Sequence, residues 1–144
     1  MSKLVLLRGL PASGKSTYSA QLVMQGYKRI NADDLRLMVD NGSYSKSNEK
    51  FITDVMQCMA ALALQDGLNV VMDNTNFNPF HIKWAKALSR DTRAELEIVD
   101  IKTPLEICVQ RDLERTKGRV GKDVIMKMYK RWFVNGEFPK VEEE

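Results

Sequence analysis

Nine consecutive residues, Gly9-Leu10-Pro11-Ala12-Ser13-Gly14-Lys15-Ser16-Thr17, form a complete GxxxxGK[ST] motif directly after the apolar run Leu4 to Arg8. Glycines at this spacing let successive backbone N–H groups turn inward around a phosphate at the positive end of the following helix. In that cradle Gly9, Ala12, Ser13, Gly14 and Thr17 surround the phosphates, Lys15 reaches the β- and γ-phosphates, and the Ser16 hydroxyl ligates Mg²⁺. The motif therefore points to ATP or a related nucleoside triphosphate. There is no Asn-Lys-x-Asp for guanine and no room for the added helical domain of motor ATPases. A small phosphotransferase is the expectation that remains.

A second group of chemistry-bearing residues is Asn31-Ala32-Asp33-Asp34-Leu35-Arg36. Asp33 and Arg36 share one face of a helix beginning here, so a carboxylate able to take a proton from a hydroxyl sits beside a cation able to hold a phosphate. One of the two aspartates is also a candidate helix cap. Asp73 ends the run Leu68 to Asp73 like a Walker B carboxylate, which suits Mg²⁺ or its water shell. Arg111, Arg115 and Arg119 recur every four residues before a loosening at Thr116-Lys117-Gly118, the pattern of an arginine lid over the triphosphate. His81, the only histidine, reads as surface polarity. Tyr129, Trp84, Trp132 and Phe133 read as packing.

These residues need elements to position them. Leu4 to Arg8, Tyr27 to Asn31, Leu68 to Asp73 and Leu96 to Ile101 read as strands, separated by helical patterns. Asn48 to Gln65 places Phe51, Ile52, Val55, Met56, Met59, Leu62 and Ala63 at helical spacing, a packing stripe closed by Gly67. Pro79 to Arg90 and Pro104 to Glu114 begin with proline, and Asp123 to Phe133 begins with Asp123 as its cap candidate. The alternation implies an α/β fold: a mostly parallel sheet of about four strands with helices on both faces and ligands at the carboxyl ends of the strands.

Length and composition agree with one domain over residues 1–144, with a frayed acidic tail from about residue 140. Cys58 and Cys108 form no metal or disulfide pattern. No segment is apolar enough for a membrane span or a signal peptide, so a cytoplasmic protein is expected. From Arg111 to Arg131 there are eight lysines and arginines against three acids, which suits an anionic partner.

Through Gly9 to Thr17, Ile30 to Arg36, Asp73-Asn74-Thr75-Asn76-Phe77-Asn78-Pro79, Arg111 to Arg115 and Asp123 to Lys130 the chain resembles the P-loop polynucleotide 5′-hydroxyl kinases. The resemblance covers nearly the whole chain. It implies a P-loop three-layer sandwich, ATP and Mg²⁺, and a 5′-OH end of DNA or RNA as acceptor. Asp33 would be the general base, Arg36 the clamp on the phosphate 3′ of the terminal nucleotide, and Arg115 the lid arginine on the ATP phosphates. Asp73-Asn74 departs from the phage pattern and leaves open which of the two organises the magnesium shell. No Asp-x-Asp-x-Thr is present, so 3′-phosphatase activity is not expected. Two rivals stay open: a kinase of a nucleoside, a hydroxymethylated DNA base or another small hydroxyl compound, and a nucleotide-dependent binding module without transfer.

Overall fold

A computed structural model describes residues 1–142; the last two glutamates of the acidic tail lie outside the described residues. The sheet holds β1 (Lys3–Arg8), β2 (Lys28–Ile30), β3 (Val70–Asp73) and β4 (Glu95–Asp100) in the order β2-β3-β1-β4. All pairings are parallel, with Leu7 of β1 opposite Asp73 of β3 and Arg8 opposite Asp100 of β4. Leu4, Val5, Leu6 and Leu7 are all buried, as a central strand covered by helices on both faces requires.

Helix α1 (Lys15–Met24) covers one face, where Tyr18 and Leu22 pack on Val5, Leu7 and Val71. On the other face, α3 (Lys46–Gln65) and α4 (Pro79–Thr92) enclose Leu4, Leu6, Val70 and Met72. Helix α2 (Ala32–Asp40) lies against α3, and α5 (Leu105–Glu114) pairs with α6 (Lys122–Trp132) over a separate cluster of Leu10, Phe77, Cys108 and Ile125. Trp84 packs on the main core, and Tyr129, Trp132 and Phe133 pack on the second.

The packing stripe of α3 differs from its expected register. The buried residues are Ile52, Met56, Ala60, Ala63 and Leu64, whereas Phe51, Met59 and Leu62 are exposed. This face keeps Ile52, Met56 and Ala63 of the expected stripe, adds Ala60 and Leu64, and packs on β2, β3 and α4. The Ser45 side chain caps this helix, accepting from the Asn48 N–H at 3.1 Å.

Arg8, at the carboxyl end of β1, is 2% exposed yet fully engaged. Its Nε and Nη2 donate to the two Asp100 oxygens at 2.7 and 3.0 Å, and its Nη1 donates to the Pro139 carbonyl at 2.9 Å. Phe138 lies beside the guanidinium, 5.5 Å from it. The segment after α6 is thereby tied to the end of the sheet; Val141 packs on the main core and the Lys86 ammonium donates to the Glu142 carbonyl.

Candidate active site

The loop after β1 turns on two residues with positive φ, Ala12 at 63° and Gly14 at 106°. Gly9 is required for a different reason: a Cβ there would meet Ser13 Oγ at 2.6 Å and Lys15 Cγ at 3.2 Å. Gly14 then delivers the chain into α1, whose first turn carries no acid to oppose an anion. Ser16 and Thr17 are exposed at this end. Lys15 Nζ donates to the Gly9 and Leu10 carbonyls at 2.9 and 2.8 Å, folded over the loop that a phosphate would thread.

Burial lowers the Lys15 pKa from 10.5 to about 8, the Asp73 carboxylate opposing the shift. Between these values the unfolded chain binds more protons than the folded one, so stability rises with pH from about 8 to 10.5. A triphosphate beside Lys15 restores its charge. Nucleotide binding at pH 8.5 is therefore expected to take up a proton, measured by calorimetry in buffers of different ionisation enthalpy. Uptake is expected to vanish in Lys15→Met; equal uptake there would assign the proton to another group.

On the opposite side of the cleft, β2 is followed by Asn31, whose side chain accepts from the Asp34 N–H at 2.9 Å and caps α2. The cap candidates Asp33 and Asp34 are thus relieved of that role and sit in the first turn. The Asp33 side chain is 87% exposed and pairs with Arg36 Nη1. Arg36 also forms a bidentate pair with Glu49 of α3, Nε to Oε2 at 2.7 Å and Nη2 to Oε1 at 2.6 Å. The Glu49 bonds hold the Arg36 guanidinium protonated well above its ordinary range.

Asp73 is buried at the end of β3, and its Oδ2 accepts from Ser19 Oγ and from Arg29 Nε, each at 2.7 Å. Arg29 in turn pairs with Asp34, linking the strand-three carboxylate to the acceptor-side helix. Burial works against the Arg29 charge, but the two carboxylates outweigh it and raise its pKa. Asn74 is committed to the scaffold: its Oδ1 accepts from the Ala32 N–H at 2.8 Å. Asn76, also buried, donates to the Leu7 carbonyl at 2.7 Å and joins the ends of β1 and β3.

The Ser16 hydroxyl and the Asp73 carboxylate are hard oxygen donors on the walls of the same cleft. No group of three or more acidic, histidine or cysteine side chains forms a metal cage among the described residues. One or two protein oxygens fit Mg²⁺, which commonly takes its remaining ligands from water and substrate phosphates.

The expected arginine face does not persist, because α5 ends at Glu114 and Arg115 is extended. Arg111 Nη1 donates to the Ser13 carbonyl at 3.3 Å and so braces the phosphate loop from outside. Arg115 lines the cleft and donates to the Gly118 carbonyl at 3.3 Å. Arg119 turns away, Nη2 bonding the Leu113 and Arg115 carbonyls at 2.5 and 3.2 Å, the free carbonyl end of α5. Asp123 does not cap α6; Gly121 precedes the helix, and both oxygens of Asp112 reach across from α5 to the Val120 and Gly121 N–H groups, each at 2.9 Å. Burial pushes the Asp112 carboxyl up, but these two bonds and the nearby arginines bring it below the ordinary range.

The walls meet around a cleft of about 520 Å³ that brings together Lys15, Ser16, Asp33, Arg36, Asp73 and Arg115. Two further charged lining residues escaped the sequence reading: Arg29 and Glu49. Arg29 had a signal, a cation beside Ile30 at the end of a short strand. Glu49 had none, being thirteen residues from its partner. His81, expected at the surface, is half-buried and lines the cleft, and burial lowers its pKa.

The profile of the AAA domain family matches residues 4–133. A protein of Autographa californica nuclear polyhedrosis virus, assigned as a bifunctional polynucleotide kinase/RNA ligase, is 31% identical over 153 residues, covering 94% of this chain and 22% of the relative. The L-seryl-tRNA(Sec) kinase of Methanococcus maripaludis is 26% identical over 138 residues, covering 92% of this chain and 53% of that one. Among solved structures, a chain of the Pnkp1/Rnl/Hen1 RNA repair complex superposes with a TM-score of 0.79 at 26% identity, over 90% of this chain and 43% of that chain. This chain therefore spans about half or less of each of these proteins.

Proposed function

The chain belongs to the AAA domain family, and we propose that it is a P-loop kinase that transfers the γ-phosphate of ATP to the 5′-hydroxyl end of a polynucleotide. The observation that carries this reading is the Asp33–Arg36–Glu49 constellation facing Lys15 across one cleft. An uncharged small acceptor has no use for a guanidinium held at the mouth of the site. An acceptor whose next group is a phosphate does.

In the reaction, the 5′ oxygen attacks the γ-phosphorus as the bridging bond to ADP breaks, and the 5′-OH proton passes to the Asp33 carboxylate. Lys15 and the N–H groups of the loop hold the β- and γ-phosphates, and Arg115 meets the charge of the moving group. Arg36 releases one donor edge to the phosphate on the 3′ side of the terminal nucleotide, while Glu49 keeps the guanidinium in plane. Ser16 and Asp73 would hold Mg²⁺, which would supply charge neutralisation for the triphosphate.

The test is transfer from γ-labelled ATP to a 5′-OH oligonucleotide, beside the same oligonucleotide already 5′-phosphorylated and beside free nucleosides and seryl-tRNA. Label on the 5′-OH oligonucleotide alone is expected. Label on nucleosides or on seryl-tRNA only would move the acceptor to a small hydroxyl group, and hydrolysis without transfer would leave a nucleotide-dependent binding module.

A further inference from the structure

Asp112 is a buried carboxylate, 1% exposed, with no part in the transfer chemistry. A buried acid is retained at the cost of its desolvation, so what it binds identifies what it does. Both of its oxygens are spent on the backbone at the far end of one segment, residues 115–121. That segment carries Arg115, Gly118 and Val120, three lining residues of the cleft. Its near end is tied as well, since Arg119 binds the Leu113 and Arg115 carbonyls. We infer that Asp112 is the clasp of this lid, a positioning residue that sets nucleotide affinity by holding Arg115 and Val120 at the cleft in register with α5.

The physical argument is one of entropy and geometry. With the clasp made, the exit of the lid is pinned to the same helix that its entrance continues, so the segment closes on itself within α5 and α6. Without it, the lid is a glycine-containing loop free at Gly118 and Gly121, both at positive φ, and the ordering of Arg115 must come from nucleotide binding. Arg119 belongs to the same device, spending its guanidinium on the carbonyl end of α5. The proposal concerns the nucleotide side of the kinase reading only, so it stands independently of which hydroxyl is the acceptor.

The experiment measures equilibrium binding of a non-hydrolysable ATP analogue with Mg²⁺, together with limited trypsin digestion and thermal melting. Asp112→Asn keeps one acceptor and turns an amide donor toward the other N–H. The variant is expected to raise the nucleotide Kd about tenfold, the size of a lost hydrogen bond to a charged group, with cutting after Arg115, Lys117 and Arg119 accelerated. KM for the acceptor is expected to stay within twofold. A second pair guards against a folding defect: Val120→Pro deletes the donor while leaving Asp112 in place, and Val120→Ala keeps the donor. Weaker nucleotide binding and faster lid cleavage in Val120→Pro than in Val120→Ala are expected. Unchanged Kd in Asp112→Asn and in Val120→Pro relative to Val120→Ala, or cleavage spread evenly along the chain as melting falls, would overturn the clasp and leave Asp112 a structural acid.

Discussion

Replacing Asp33 by alanine is expected to lower kcat for transfer about 10²- to 10⁴-fold, the range associated with losing a positioned general base, while nucleotide affinity stays within twofold. The structure makes this separation clean. Asp33 is exposed at the first turn of α2 and contributes nothing to the cap, which Asn31 supplies. Arg36 keeps its two bonds to Glu49 when Asp33 is removed, so the acceptor clamp survives the substitution. The other cleft carboxylates near this helix are already paired, Asp34 and Asp73 with Arg29 and Glu49 with Arg36, and are poorly placed to substitute as base. Single-turnover transfer with saturating oligonucleotide, beside direct binding of the nucleotide, measures the two quantities. A variant retaining more than about a tenth of wild-type kcat would remove Asp33 from the base role.

Arg115→Ala is expected to cost about 10³-fold in kcat, the lower end of what an arginine opposite a transferring phosphoryl group contributes. Among the described residues the Arg115 guanidinium donates to the Gly118 carbonyl, a neutral partner it can leave at small cost when a phosphate enters. By contrast, Arg111 already braces the Ser13 carbonyl and Arg119 the end of α5, so Ala substitutions there are expected to act through the loop and lid, with smaller losses of kcat. The measurement is kcat at saturating nucleotide and acceptor for all three variants. An Arg119→Ala loss equal to or larger than that of Arg115→Ala would exchange their roles.

Much of the scaffold was legible because it is encoded locally. Each of the four strands was recognisable as a short apolar run, and the alternation with helical spacing is what a parallel sheet with helical crossovers demands. Proline and capping residues marked the start of α4 correctly, Asn78 accepting from the Phe80 N–H at 3.0 Å. The misreadings came where one local signal had two equally good hosts. Asp33, Asp34 and Asn31 are all competent caps, and packing against the Asp73 carbonyl chose Asn31. Asp123 is a competent cap for α6, yet Asp112 reached the helix start from a neighbouring element. In α3 the periodicity was right, but Ala60 and Leu64 lie on the buried face where Phe51, Met59 and Leu62 were expected.

The phosphate loop, its place between strand and helix, and an acid and a cation on one turn after the second strand are all readable in the order of the residues. All of that chemistry is specified by neighbours within one turn or one motif, where backbone sterics and hydrogen bonding act directly. Only the tertiary structure decided which charges face one another: Arg29 with Asp73 across 44 residues, Arg36 with Glu49 across 13, and Arg111 with the Ser13 carbonyl across 98. Such pairs depend on the strand order β2-β3-β1-β4 and on where the packed clusters hold α3 and α5. Electrostatic attraction is long-ranged but carries no register, so partners become definite only after the packed core has fixed where each element lies.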